Sequence, residues 1–170
     1  MKVIVLPLKE KDIAEWKKGM QEAFQKGAEE EFGKLNEEIL KEKDIDSSLG
    51  KKGSFAYKAV VEGEIVGGAV VNINEETQHN HLDFIYVKYG TQSKGIGKKI
   101  WEEIELMHPQ TKVWETFTPY NEKRNIHFYI NCLGFHAVEF YNPKHKDPNT
   151  PEDMTGGDYF FRFEKVNDKN

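Results

Sequence analysis

The residues whose types and spacing best suit chemistry are Gln92-Ser93-Lys94-Gly95-Ile96-Gly97-Lys98. Two glycines one residue apart stand where an amphipathic helix begins, shortly after an apolar run, Phe84-Ile85-Tyr86-Val87. Such a turn points several backbone N–H groups in one direction, and the helix macrodipole adds positive potential there. The chemistry it fits is phosphate or pyrophosphate binding. The alternative is plain packing, with Gly95 letting helix and sheet approach and Lys94 and Lys98 as solvated surface. It is not a Walker loop, because no Gly-Lys-Ser/Thr follows at the proper spacing. Nor is it a Rossmann fingerprint, because the first strand does not feed it and the third glycine is missing.

Two other sets of reactive side chains offer less. The histidines at 79, 81, 108, 127, 136 and 145 have no spacing that makes a compact ligand set, so no metal is expected. Cys132 falls near the C-terminal end of a helical pattern, where the dipole disfavours a thiolate; it reads as a small buried hydrophobe.

Elements must hold the turn in place. Val3 to Leu6 reads as a strand ended by Pro7. Asp12 is placed to cap a helix with Ile13, Trp16, Met20 and Phe24 on one face. The charged stretch Gly27 to Lys52 carries a short helical pattern (Leu35, Ile39, Leu40), then a loop ending in Gly50-Lys51-Lys52-Gly53. Phe55 to Val61 and Ile65 to Val71 form a hairpin around Glu62-Gly63-Glu64, and a third strand spans about His79 to Val87. On that strand alternation places His81, Asp83 and Ile85 on one face. After the turn, Ile96, Ile100, Ile104 and Met107 form a stripe that Pro109 ends. Lys112 to Phe117 is a strand. Ile126, Tyr129, Ile130 and Leu133 line a further helix closed by Gly134. Phe135 to Tyr141 and Tyr159 to Val166 are strands, joined by a long loop from Asn142 to Gly157. The order β-α-α-β-β-β-α-β-α-β-β makes an α/β (α+β) domain with helices packed on a mixed sheet.

At 170 residues, 38% hydrophobic and 12% aromatic, the chain suits a single domain over 1–170 with a real core. Its net charge of -5 (24 basic, 29 acidic) argues against nucleic acid or an anionic membrane as partner. One cysteine excludes an internal disulfide framework and fits a cytoplasmic location. The apolar start, Met1 to Leu6, is too short for a signal-peptide core.

In this context the turn resembles the signature of the GNAT superfamily, the acetyl-CoA-dependent N-acetyltransferases. In that signature a strand ends in a valine-like residue, and Gln or Arg-x-x-Gly-x-Gly or Ala opens a helix. Here these are Val87 and Gln92-Ser93-Lys94-Gly95-Ile96-Gly97. A second block resembles it too: Trp114-Glu115-Thr116, then Asn125-Ile126-His127-Phe128-Tyr129, then Gly134-Phe135. The element order matches over roughly the whole chain, most specifically from Leu82 to Phe140. Between Tyr129 and Gly134-Phe135 there is one residue more than the commonest family spacing.

The resemblance implies a mostly antiparallel central sheet of about seven strands flanked by about four helices, splayed at the strand before the turn. It implies acetyl-CoA as co-substrate. Pyrophosphate would lie against Gln92, Lys94, Gly95, Ile96, Gly97 and Lys98, and the pantetheine arm along the backbone of Ile85 and Val87. Asn125, or else Asn121, would touch that arm. It also implies transfer of acetyl to a primary amine of a small molecule or peptide, by direct attack in a ternary complex. Tyr129 is the family's proton donor to sulfur, or else a core tyrosine. A lysine-like amine titrates near 10.4, so a base or water must take its proton. Candidates are Glu115, then Asp83, His81, Glu29, Glu30 and Glu31. The segments Gly27 to Gly53 and Asn142 to Gly157 are the expected walls of the acceptor site. A homodimer is an open oligomeric option, and a non-catalytic acyl-CoA sensor of the same fold is the alternative function.

Overall fold

The computed structural model describes residues 2–91, 95–149 and 159–168. Gln92, Ser93 and Lys94 of the glycine turn, and 150–158 of the long loop, lie outside the described residues. The chain runs β1 (Ile4–Pro7), α1 (Ile13–Phe32), α2 (Glu42–Leu49), β2 (Ser54–Val61), β3 (Glu64–Asn72) and β4 (His79–Val87). It continues with α3 (Ile96–Met107), β5 (Val113–Pro119), α4 (Lys123–His127), a π turn (Phe128–Cys132), β6 (His136–Tyr141) and β7 (Phe160–Val166). The seven strands form one sheet in the order β1-β2-β3-β4-β5-β7-β6. All neighbours are antiparallel except β4 and β5.

That parallel pair opens almost at once. Its register covers only His79 to His81 against Val113 to Glu115. Beyond it, the Thr116 hydroxyl donates to the Leu82 carbonyl (2.9 Å), and then the strands part. Inside β4 the pairing with β3 steps from Leu82 opposite Val71 to Phe84 opposite Val70, leaving Asp83 as a bulge. Bulges bend a strand and sharpen its twist, which suits a strand that must leave its neighbour.

Each sheet face has its own core. One face buries Ile85, Ile100, Trp101, Trp114, Phe135 and Phe163 beneath α3 and the π turn. The other packs Trp16 and Met20 of α1 and Ile45 of α2 against Val70 and Tyr86. The Trp16 indole N–H donates to the Tyr57 carbonyl (3.0 Å), and the Tyr86 hydroxyl donates to the Trp16 carbonyl (3.0 Å), fixing α1 across β2, β3 and β4.

Four sequence expectations are corrected. Asp12 makes no cap hydrogen bond to α1, because its carboxylate takes the Lys58 ammonium instead (2.6 Å). The Leu35, Ile39, Leu40 pattern is not a helix. That segment is tied to α1 by side chains: Ile39 N–H donates to Gln25 Oε1 (2.9 Å) and Gln21 Nε2 donates to the Leu40 carbonyl (3.1 Å). A helix, α2, forms instead where a loop is expected, anchored by fully buried Ile45; α1 meanwhile runs on through Gly27 to Phe32. Finally, His81, Asp83 and Ile85 do not share a face. The extra residue at Asp83 breaks the alternation, so Asp83 meets Ser48 of α2 while Ile85 joins the α3 core.

Candidate active site

The gap between β4 and β5 leaves one backbone edge of β4 open. Lys88 N–H donates to the Val66 carbonyl (2.8 Å), in register with Gly68 opposite Tyr86. Backbone groups alternate along an antiparallel strand. Those of Ile85 and Val87 therefore face away from β3, into the gap. An extended, peptide-like ligand arm can pair there as a short added strand.

At the end of β4 the glycine turn resumes at Gly95, whose φ of +70 opens α3 in a conformation that glycine adopts without strain. No side chain caps this helix among the described residues, so its first N–H groups are free to meet an anion. Gly97 serves a different need. A Cβ there would stand 2.8 Å from the Phe128 ring, so only glycine lets the π turn lie this close to α3.

A cavity of about 440 Å³ runs through the gap. One end is made by Gly95, Ile96, Gly97 and Lys98 with Phe128 and Cys132; Ile85, Val87, Asn125, Tyr129 and Glu122 also line it. The α1 side supplies Ala23, Phe24, Gly27 and Ala28, with Ile39 from the segment after it. Every cofactor residue expected from the sequence and described in the structure is brought together here: Ile85, Val87, Gly95, Ile96, Gly97, Lys98 and Asn125. Asn125 lines the cavity and Asn121 does not. Of the expected acceptor walls, Gly27, Ala28 and Ile39 are lining residues; the described part of Asn142 to Gly157 contributes none.

Tyr129 is buried and reaches the same cavity. Burial pushes its phenol up to about 12; a hydrogen bond with Thr116 works against that, and the nearby Glu122 carboxylate adds to it. The group therefore holds its proton at neutral pH. Tyr129 owes its place to the π turn, in which Leu133 N–H reaches back five residues to the Phe128 carbonyl (3.0 Å). That widened turn takes up the one surplus residue before Gly134, as π turns at functional positions do.

The candidate bases are dispersed. Glu115 is on the opposite face, outside the cavity lining: Arg162 Nη1 donates to it (3.2 Å) and His79 Nε2 lies 3.3 Å away. His79, Glu115 and Glu164 have ligand atoms within 4.8 Å of one another, but Arg162 pairs with both carboxylates and already supplies the positive charge. His81 Nδ1 lies 2.6 Å from Asp83, whose side chain is almost fully buried and also takes the Ser48 hydroxyl. Burial works to raise the Asp83 carboxyl, and the His81 hydrogen bond and charge, with Ser48 and Lys51, outweigh it and hold it low. Glu29 accepts from Gln25, Glu30 pairs with Arg124 (2.6 Å), and Glu31 accepts the Lys123 N–H (3.3 Å).

Sequence reasoning missed Glu122, which lines the cavity at the start of α4. Its signal was its place three residues before Asn125, at the N-cap, where carboxylates commonly cap; here it makes no cap hydrogen bond.

A sheet opened between parallel strands, with a free helix N-terminus and a bare strand edge at the opening, can hold an anion and a peptide-like arm side by side. Similarity to known proteins gives that arrangement a family. The model of the acetyltransferase (GNAT) family matches residues 14–135. The uncharacterized protein YrkN of Bacillus subtilis (strain 168) is 45% identical over 97% of this chain and 94% of its own length. Among solved structures, a Bacillus subtilis acetyltransferase in complex with CoA superposes with a TM-score of 0.68 at 18% identity, covering 97% of this chain and 99% of that one. The paia N-acetyltransferase of Thermoplasma acidophilum, in complex with coenzyme A, gives 0.68 at 16% identity over 98% and 100%. The chain belongs to the GNAT acetyltransferase family, whose co-substrate is acetyl-CoA. Among the described residues no helix is long and apolar enough to cross a membrane.

Proposed function

We propose that this protein transfers an acetyl group from acetyl-CoA to a primary amine of a small molecule or peptide, by direct attack in a ternary complex. The observation that carries this reading is the cavity, continuous from the α3 N-terminus, past the open edge of β4, to the flank of α1. Two molecules can meet in it from opposite sides of the sheet, which direct transfer requires.

The residues divide the work. The N–H groups at the start of α3, with Lys98 nearby, hold the pyrophosphate. The free backbone groups of Ile85 and Val87 align the pantetheine arm, and N–H donors on that edge stabilise charge on the thioester oxygen as it develops. Asn125 steadies the arm. Tyr129 gives its proton to the departing sulfur. Glu115, held by Arg162 and His79, keeps the sheet around the gap in shape.

The test is turnover. Purified protein with acetyl-CoA is offered a panel of primary amines, and free thiol is measured. Thiol released in proportion to amine supports transfer. Tight acetyl-CoA binding with no turnover across the panel would leave only the sensor reading.

A further inference from the structure

We propose that Glu122 meets the ammonium group of the acceptor and accepts its proton, and that the acceptor is a small primary amine carried on an apolar body. This rests on the acetyl-transfer reading above.

The cavity is uneven in chemistry along its length. Its α1 end is walled by Ala23, Phe24, Ala28 and Ile39, which offer an incoming molecule no charge and no side-chain hydrogen bond. Phe24 is held by an edge contact with Phe84, so this wall is a fixed apolar surface. Glu122 lines the same cavity as Tyr129, near enough for its charge to act on the phenol. Among the described residues the Glu122 carboxylate has no hydrogen bond and no ion pair, and it does not cap its own helix. The carboxylate is therefore available.

The charged groups around it favour a cation. Arg124 of α4 also lines the cavity, but its charge is engaged by Glu30 (2.6 Å) and by the Gly27 carbonyl (3.4 Å). From α1, Glu31 faces the same region: one oxygen accepts the Lys123 N–H and the other, Oε2, is buried without a partner. Tyr129 faces it as a neutral phenol. Burial and then Glu31 raise the Glu122 carboxyl above its ordinary value, with Arg124 opposing. A carboxylate whose proton affinity is raised by burial is a better proton acceptor than an exposed one. Burying an amine on an apolar carrier against Ala23, Phe24, Ala28 and Ile39 supplies the rest of the affinity.

The proton and electron count closes. Glu122 takes one proton from the bound ammonium, leaving a neutral amine. The nitrogen lone pair forms the N–C bond at the thioester carbonyl, and the tetrahedral adduct collapses with cleavage of C–S. The sulfur takes the Tyr129 proton. The tyrosinate is reprotonated by the acetylated nitrogen, and Glu122 returns its proton to water. Ammonium and thioester become amide, thiol and one proton.

The experiment uses the full chain, with phenethylamine and spermidine as probes and acetyl-CoA affinity read separately by calorimetry. Wild type is expected to acetylate phenethylamine with a kcat/KM at least tenfold that for spermidine. Glu122→Gln should lower the phenethylamine kcat/KM at neutral pH by about a hundredfold, with the acetyl-CoA Kd within twofold of wild type. The deficit should shrink as pH approaches about 10, where an aliphatic amine arrives already neutral; a merely structural role would not produce that convergence. Preference for spermidine, a variant within threefold of wild type at neutral pH, or a deficit constant with pH overturns the inference. So does acetyl-CoA binding with transfer to neither probe. Failure of wild type to bind acetyl-CoA at all would instead remove the acetyl-transfer reading itself.

Discussion

The Thr116 hydroxyl donates to the Leu82 carbonyl at 2.9 Å, one position past the last paired residues of β4 and β5. A side chain thus makes the final link before the strands separate. Thr116→Val keeps the shape and removes the donor, leaving a buried carbonyl short of a partner. Chemical denaturation should show a loss of about 1 kcal/mol, the usual net worth of such a bond. A variant as stable as wild type would mean that the link does not hold the apex of the gap.

Gly97 gives a prediction about binding. A methyl group there would stand 2.8 Å from the Phe128 ring, which lines the cavity. Gly97→Ala must push that ring, and α3 and the π turn move apart or the cavity narrows. The expected result is an acetyl-CoA affinity at least about tenfold weaker by calorimetry, worth about 1.4 kcal/mol, with the far-ultraviolet spectrum unchanged. Equal affinity would contradict a pyrophosphate grip at this helix start.

Tyr129 gives a prediction about rate. Its phenol keeps its proton until about pH 12, chiefly because it is buried. Tyr129→Phe should reduce kcat by roughly a hundredfold, the lower range for a lost general acid, while acetyl-CoA Kd changes less than twofold. An unaltered kcat would reassign Tyr129 to the core, where its ring already packs against Phe135 and Phe163.

Glu139 gives a prediction about acid stability. The Tyr141 hydroxyl (2.7 Å), His145 and the Arg162 guanidinium (3.0 Å) converge on its carboxylate and hold it down to about 2 from an ordinary 4.5. A depressed carboxylate contributes stability above its unfolded value and loses it as pH falls toward the folded one. Wild type should therefore lose melting temperature more steeply than Glu139→Gln between about pH 4.5 and 2. Parallel curves would show that the cluster adds nothing to the fold.

Much of the frame was legible in the sequence because it rests on strong local signals. The glycines at 95 and 97 after Val87, the Glu62-Gly63 hairpin and the stripe from Ile96 to Ile104 all report their elements directly. The misses share a physical cause: each depends on one residue or on a distant partner. Asp83 bulges without a glycine or proline to mark it. The helix α2 has too short a stripe around Ile45 to show a period. Gly27 sits inside α1, where it costs only about 1 kcal/mol against alanine, so it did not end the helix as a breaker would. Glu122 became visible only when α1 was seen to pass beside α4.

The π turn carries a consequence for descent. A helix advances by about 100° per residue, so a surplus residue carried in an ordinary helix would turn Tyr129, Asn125 and Glu122 away from the cavity while Phe135 stayed seated in the core. The widened turn absorbs that residue, and the groups on either side keep their facing. A single codon can thus be gained or lost at this point without exchanging the set of groups offered to a substrate. Among relatives of this chain, the length of that short segment is expected to vary while the positions of Tyr129, Asn125 and Glu122 keep their alignment with the cavity.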